Sequence, residues 1–210
     1  MWYRNFMSIA SLLLCLALGG CPDPGCLDTD PKYAFNITGA FTPDNDSVAL
    51  GDTVYFVSAF PSTLTPVGTQ DPVDYTNASK IGNVITVIEY LPNYQRRWAA
   101  YDFDYIALKG EAFNSKEVPT PEGAEQIRYE EIGNKYEMNI AIVPKKKGNY
   151  IFLIGGAYSD SRKIKGKDRC DRASFNLTIS NDQRRNYALT ENWAGGSIGN
   201  PGGGYAFTVY

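Results

Sequence analysis

EQIRYEEIGNKYEMNIAIV, residues Glu125–Val143, carries the reading that decides the fold class. Both halves alternate apolar and polar residues with period two, the pattern of strands with one dry and one wet face. Gly133-Asn134 stands between them and is a two-residue hairpin signal. That turn sets Tyr129 opposite Met138 and Ile127 opposite Ile140 on an apolar face. Arg128 opposite Asn139, and Glu130 opposite Glu137, make the other face. The like-charge pair is mildly unfavourable and is tolerated in water. A one-residue slip would mix the two faces.

The same alternation extends outward in both directions. Lys32–Thr38, Thr53–Phe60, Ile81–Tyr90, Trp98–Leu108, Tyr150–Ala157, Ala173–Ser180 and Tyr205–Tyr210 read as further strands. Pro61 stops one of them, and Leu91-Pro92-Asn93 separates two others. Residues 61–80 are loop-like, with prolines among Ser, Thr and Asp. FNIT (35–38) and FNLT (175–178) share one in/out pattern. No stretch of ten or more residues shows a convincing 3.6-residue period, and Gln183–Asn192 suits one or two helical turns. About nine short strands with turns between them predict an all-β chain, a single antiparallel β-sandwich over residues 32–210.

Composition agrees and also excludes. The chain has 210 residues, 43% hydrophobic and 20% charged, with a net charge of −3. That is the balance of a globular protein. It has no histidine, which removes Ser-His and Cys-His nucleophiles, His-ligated zinc and His-bound haem. No cofactor and no metal site are expected.

The N-terminus reads as an address. MWYRNFMSIASLLLCLALGGC has Arg4 as its one charge, then an apolar run from Ser8 to Leu18. A membrane-spanning helix needs ~20 such residues, so the run fits a signal-peptide core. It ends Leu18-Gly19-Gly20-Cys21, which resembles the bacterial lipobox. The resemblance implies removal of residues 1–20, lipidation of Cys21, and a linker over 21–31. It also implies a membrane partner held through the N-terminal lipid. In lipoproteins of this type an Asp after the cysteine often signals inner-membrane retention. Pro22 stands there instead, which favours the outer membrane. The membrane face stays open. Cys15 leaves with the signal and Cys21 carries lipid, so Cys26 and Cys170 remain, in an oxidising compartment. A Cys26–Cys170 disulfide is expected. The rival is a reactive thiol at Cys170, activated by Lys167, Arg169 and Arg172.

GDTVYFVSAFP (51–61) and KKKGNYIFLI (145–154) resemble segments of immunoglobulin-like domains. Gly148-x-Tyr150 is similar to the entry of a tyrosine-corner strand, whose Tyr hydroxyl bonds back to the chain. Phe152 sits where an antibody domain has its second Cys. Lipobox and aromatic-rich sandwich together resemble Bacteroidetes-type cell-envelope lipoproteins. The likeness implies location and an immunoglobulin-like architecture, and no activity.

Several constellations invite chemistry. Gly195-Gly196-Ser197-Ile198-Gly199 matches G-x-S-x-G, but a nucleophile elbow needs a His. The glycines running on to Gly204 read more simply as a loop before the last strand, with closure on a ligand as the functional alternative. Asp102 and Asp104 alternate along a strand and share a face, a spacing compatible with glycoside hydrolysis or with a wet strand face. Asp44 and Asp46 offer oxygens to calcium or simply make a polar turn. Lys145–Lys147 and the basic residues from Arg162 to Arg172 suit an anionic partner or solvated loops. Trp98, Tyr101, Tyr105, Trp193 and Tyr205 are candidates for a sugar-stacking platform, with a core role as the alternative.

The expected function is therefore a lipid-anchored envelope module for binding or adhesion, without catalysis. Its ligand is a glycan or an envelope protein, and not nucleic acid. A subunit of a surface assembly, with Tyr205–Tyr210 as an exchangeable strand, is the second expectation. A hydrolase using Asp102 and Asp104 is the third. Mass spectrometry of the native protein is expected to find residues 1–20 absent and an acyl group on Cys21.

Overall fold

The computed structural model describes residues 31–78, 81–113, 124–155, 157–158, 162–163, 170–194 and 204–210. The signal segment, Cys21, Cys26 and most of the glycine-rich 195–204 stretch lie outside them. The first half contains β1 (Tyr33–Thr42), β2 (Ser47–Val48), β3 (Val54–Pro61), β4 (Thr63–Leu64), β5 (Val73–Asp74) and β6 (Gly82–Tyr90). Next come η1 (Pro92–Tyr94), β7 (Arg96–Trp98), η2 (Ala100–Asp102), β8 (Phe103–Lys109) and β9 (Glu111–Phe113). They are followed by β10 (Ala124–Arg128), β11 (Glu130–Ile132), β12 (Lys135–Pro144), β13 (Gly148–Ile154), β14 (Ala157–Tyr158), β15 (Arg162–Lys163) and β16 (Cys170–Asp171). β17 (Ala173–Ile179), α1 (Gln183–Ala194) and β18 (Gly204–Val209) complete the described chain. Among the described residues the protein is all-β with one α-helix.

The hairpin forms with the expected register at its tip. Glu130 pairs with Glu137, Glu131 with Tyr136 and Ile132 with Lys135. Gly133 has φ +62° and Asn134 stays out of the left-handed region, the pattern of a turn with glycine first. The pairing then departs from the expectation. β10 leaves β12 and joins β6 and β9. Met138 therefore lies opposite Ser58, and Ile140 opposite Phe56 and Ala107. Ile127, Tyr129, Met138 and Ile140 are all buried nonetheless. Alternation dictates which face a residue takes, not which strand it meets.

One long ladder runs β12-β3-β1-β17-β14-β6-β13-β18-β2. It folds over so that two inner faces meet. Phe41 of β1 touches Phe152 of β13 at 5.6 Å and stacks on Tyr205 of β18 at 4.6 Å. Phe56, Phe35 and Phe175 fill one side of the core, and Tyr150 and Phe207 the other, all essentially without solvent contact. Two pairings are parallel, β1 with β17 and β2 with β18, where a wholly antiparallel arrangement was expected. The first of them sets FNIT beside FNLT in register, and Asn176 Nδ2 donates to Asn36 Oδ1 at 3.2 Å.

Trp98–Leu108 is not one strand. β7 ends at Trp98, η2 intervenes, and β8 begins at Phe103. β8 pairs with β12 and β9 pairs with β10, so the segment bends at Gly110 from one part of the ladder to another. Gly110 has φ +80°, and a Cβ there would sit 2.2 Å from the Arg128 carbonyl oxygen. Only glycine fits such a position.

The helix is longer than the one or two turns expected. Asp182 caps it, accepting from Arg184 N–H at 2.9 Å and Arg185 N–H at 3.3 Å. Its inward stripe is Asn186, Leu189, Thr190 and Trp193, an i, i+3, i+4, i+7 set. Two of the four are polar, which hides the period in the sequence. Gly110→Ala is expected to lower the melting temperature by at least ~5 °C, an αL penalty plus a backbone clash of ~2 kcal/mol or more. Gly133→Ala meets no atom within 4 Å and should cost only the ~1–2 kcal/mol of its left-handed φ. Paired thermal melts check the order.

Candidate functional site

Strand β6 alternates its residues between the core and the outside, and its end sorts two kinds of chemistry. Glu89 points inward and is 3% exposed. Arg97, its cross-strand partner on β7, places Nε 2.5 Å from Glu89 Oε2 and also pairs with Asp102. Lys146 Nζ is 3.3 Å from Glu89 and 4.0 Å from Asp102. Burial pushes the Arg97 pKa down, but the two carboxylates outweigh it and hold the pKa above its ordinary value. The Tyr150 hydroxyl lies 3.3 Å from Asp102 Oδ2 and 3.1 Å from the Lys146 carbonyl, four residues back. Burial, with Glu89 and Asp102 nearby, raises its pKa. Asp102, on η2, is thus held by Arg97 and Lys146, while Asp104 on β8 binds Lys145 at 2.8 Å. The two aspartates belong to separate ion pairs, not to a shared strand face.

Tyr90 points the other way. The outer face of β6, β13 and β18 carries a second small core of Tyr90, Ile151 and Ala206, covered by Leu189, Trp193 and Ala194 of α1. Asn186 anchors the helix there. It is fully buried, its Nδ2 donates to Gly204 O at 2.9 Å, and its Oδ1 accepts from Ala206 N–H at 3.1 Å. Its amide does for β18 what a neighbouring strand would do. β2 takes the rest of that edge, so Tyr205–Tyr210 is flanked on both sides.

Where the helix ends, a cleft of about 260 Å³ opens between Tyr90, Leu91, Pro92, Asn93, Tyr94, Asn149 and Trp193. Trp193 and Tyr90 meet at 5.8 Å between ring centres. The 91–95 loop is closed by Leu91 N–H donating to Gln95 O at 2.9 Å. Asn93 and Tyr94 both have φ +62°. Consecutive left-handed residues without a glycine cost ~1–3 kcal/mol each, and such strain clusters at functional sites. Here it presents the Tyr94 ring, 66% exposed, at the cleft mouth. Asn149 Oδ1 on the opposite wall accepts from the Thr208 hydroxyl at 2.9 Å. The Arg96 guanidinium lies over the Tyr90 ring at 5.2 Å, a cation–π contact. Burial raises the Tyr90 pKa, with Arg96 opposing.

The five aromatic candidates separate. Trp193 lines the cleft. Trp98 is half exposed and lies directly across from Ile88, on the face that also carries Tyr90 and Arg96. Tyr101 is exposed on η2. Tyr105 packs partly against the main core, and its buried hydroxyl has no hydrogen-bond partner among the described residues. Burial raises its pKa, reinforced by Glu125 and Asp102. Tyr205 is a core residue and offers no exposed ring. Its hydroxyl lies 2.7 Å from Asn45 O and 2.9 Å from Pro43 O, and burial pushes its pKa up to about 12. Tyr90, Tyr94 and Arg96 were missed. Their signal was the Pro-Asn stop after an aromatic strand end, read only as a divider.

Asp44 pairs with Arg185, whose Nη1 also donates to Asp44 O at 2.8 Å. Burial works against ionisation of Asp44, yet Arg185 and Asn181 hold its pKa below the ordinary value. Asp46 accepts from the Ser47 hydroxyl at 3.2 Å. Among the described residues no group of three acidic or sulfur ligands is placed to hold a metal. No described helix is long and apolar enough to cross a membrane. No known family model matches the sequence, and no curated protein is significantly similar to it.

Arg97→Met is expected to leave Glu89 buried with Lys146 as its one remaining cation. Breaking a buried pair costs ~3–5 kcal/mol, and Lys146 should limit the loss to ~2–4 kcal/mol. Urea unfolding should show the midpoint fall with the slope unchanged.

Proposed function

We propose that this chain is a lipid-anchored cell-envelope binding module that holds a glycan on the outer aromatic face around Tyr90, Tyr94, Trp193 and Trp98. The observation that carries the reading is the strained 91–95 loop, which spends backbone energy to expose Tyr94 beside Trp193. Core packing does not ask for that ring in solvent. Flat apolar sugar faces stack on exposed aromatic rings, and a cleft with a few polar groups at its rim orients them. Asn93 and Asn149 supply amide donors and acceptors there.

The anchor is proposed at Cys21, after a signal over residues 1–20, in the outer membrane. About a dozen residues separate Cys21 from β1, a reach of up to ~40 Å if extended. A Cys26–Cys170 disulfide is proposed as a second restraint on the tether. Lys32 N–H donates to Arg172 O at 2.8 Å, so Lys32, near the start of the described residues, is bonded to a residue two positions from Cys170, which supports the pairing. The finer architecture is proposed as an immunoglobulin-like sandwich of about nine principal strands. The Tyr150 hydroxyl reaching back to Lys146 supports it, as does the aromatic core between two inner faces.

A glycan-array screen of the mature domain tests the function. Trp193→Ala and Tyr94→Ala should each weaken binding about fivefold or more, at ~1 kcal/mol or more per lost stacking ring. Trp193→Ala should also lower the melting temperature slightly, since the ring covers Tyr90, whereas Tyr94→Ala should leave it unchanged or higher. Silence across the array, or binding indifferent to both changes, would remove the reading.

A further inference from the structure

Neighbouring arginines on β7 meet opposite fates. Arg97 turns toward the core and is consumed by Glu89 and Asp102. Arg96 turns outward, lies over the Tyr90 ring with its guanidinium carbon 5.2 Å from the ring centre, and has no carboxylate partner among the described residues. Stacking uses the face of a guanidinium and leaves its in-plane N–H edge free. That edge matches the two oxygens of a carboxylate. The ring beneath Arg96 also floors the cleft and touches Trp193. A guanidinium without a carboxylate partner among the described residues therefore stands one ring away from the cleft, which Arg96 reaches only across Tyr90.

We infer that the saccharide taken by this cleft is an acidic one, a uronic acid unit whose ring stacks on Tyr94 and Trp193 while its carboxylate is held edge-on by Arg96. The inference rests on the glycan reading above and adds the charge of the ligand. A single guanidinium complements a single negative charge. On a chain of net charge −3, a neutral cleft would repel an acidic chain weakly, so attraction has to be local. Arg96 provides that locality.

The test uses the mature domain and a panel of galacturonate, glucuronate and mannuronate–guluronate oligosaccharides, each with its methyl-esterified form, beside neutral gluco- and manno-oligosaccharides. Binding is followed by tryptophan fluorescence and calorimetry. At least one free acid should bind, its methyl ester at least tenfold more weakly. Arg96→Gln should abolish that preference without moving the melting temperature, and rising salt should weaken the free acid alone. Arg96→Lys should recover little, because a point charge lacks the planar fork. Esters or neutral oligosaccharides binding as well as the acids, with Arg96→Gln silent, would overturn the acidic ligand and leave the glycan module standing. No binding by any acid, ester or neutral sugar would overturn both.

Discussion

Glu89 is a carboxylate inside an aromatic core. Removing such a charge from water costs several kcal/mol unless a cation replaces the lost hydration. Arg97 and Lys146 do so, and each comes from a different element. Arg97 fixes β7 against β6, and Lys146 fixes the approach to β13. Asp102, shared by both cations and by the Tyr150 hydroxyl, holds η2 in the same place. Three connections of the chain are thereby locked around one buried charge. The arrangement also decides what the opposite face of the strand can do. With Glu89 inward, Tyr90 must face outward, and with Arg97 inward, Arg96 must follow it.

The two outer faces of the molecule differ for a related reason. The face of β6, β13 and β18 is apolar and is covered by α1. Across the core, the outer face of β3 and β8 keeps Tyr55, Val57, Ile106 and Leu108 in solvent, with the Asn36–Asn176 pair farther along the same ladder. The helix settles on the first face because Asn186 finds the backbone of β18 there. One buried amide thus chooses the helix position, and through it the place of Trp193.

Strain and packing are divided between different residues at the candidate site. Trp193 and Tyr90 are held by contacts that also stabilise the fold. Tyr94 contributes little to packing and sits on a costly backbone. A site built this way presents one ring on a rigid floor, so little side-chain freedom remains to be lost on binding.

Strand identity and facing were legible in the residues themselves. The alternation in Glu125–Val143 placed Ile127, Tyr129, Met138 and Ile140 inside. Gly133-Asn134 set the hairpin tip, and FNIT and FNLT proved to share a pattern because they lie side by side. Partner choice was not legible. Period two is a local property of a strand, whereas pairing is settled by competition among all strands for each edge, and β8 took the edge of β12 that the hairpin arm was expected to hold. The helix was shortened in the reading because Asn186 and Thr190 interrupt its apolar stripe; Asn186 is buried with partners on β18, and the Thr190 hydroxyl is satisfied by the Asn186 and Tyr187 carbonyls of its own helix. The site was half visible for the same reason. Residue type marked Trp98 and Trp193 as candidates and Tyr205 equally so. Only the packed structure put Tyr205 in the core, drew Tyr90 and Tyr94 to Trp193, and left Arg96 unspent, because burial and ion pairing depend on residues distant along the chain.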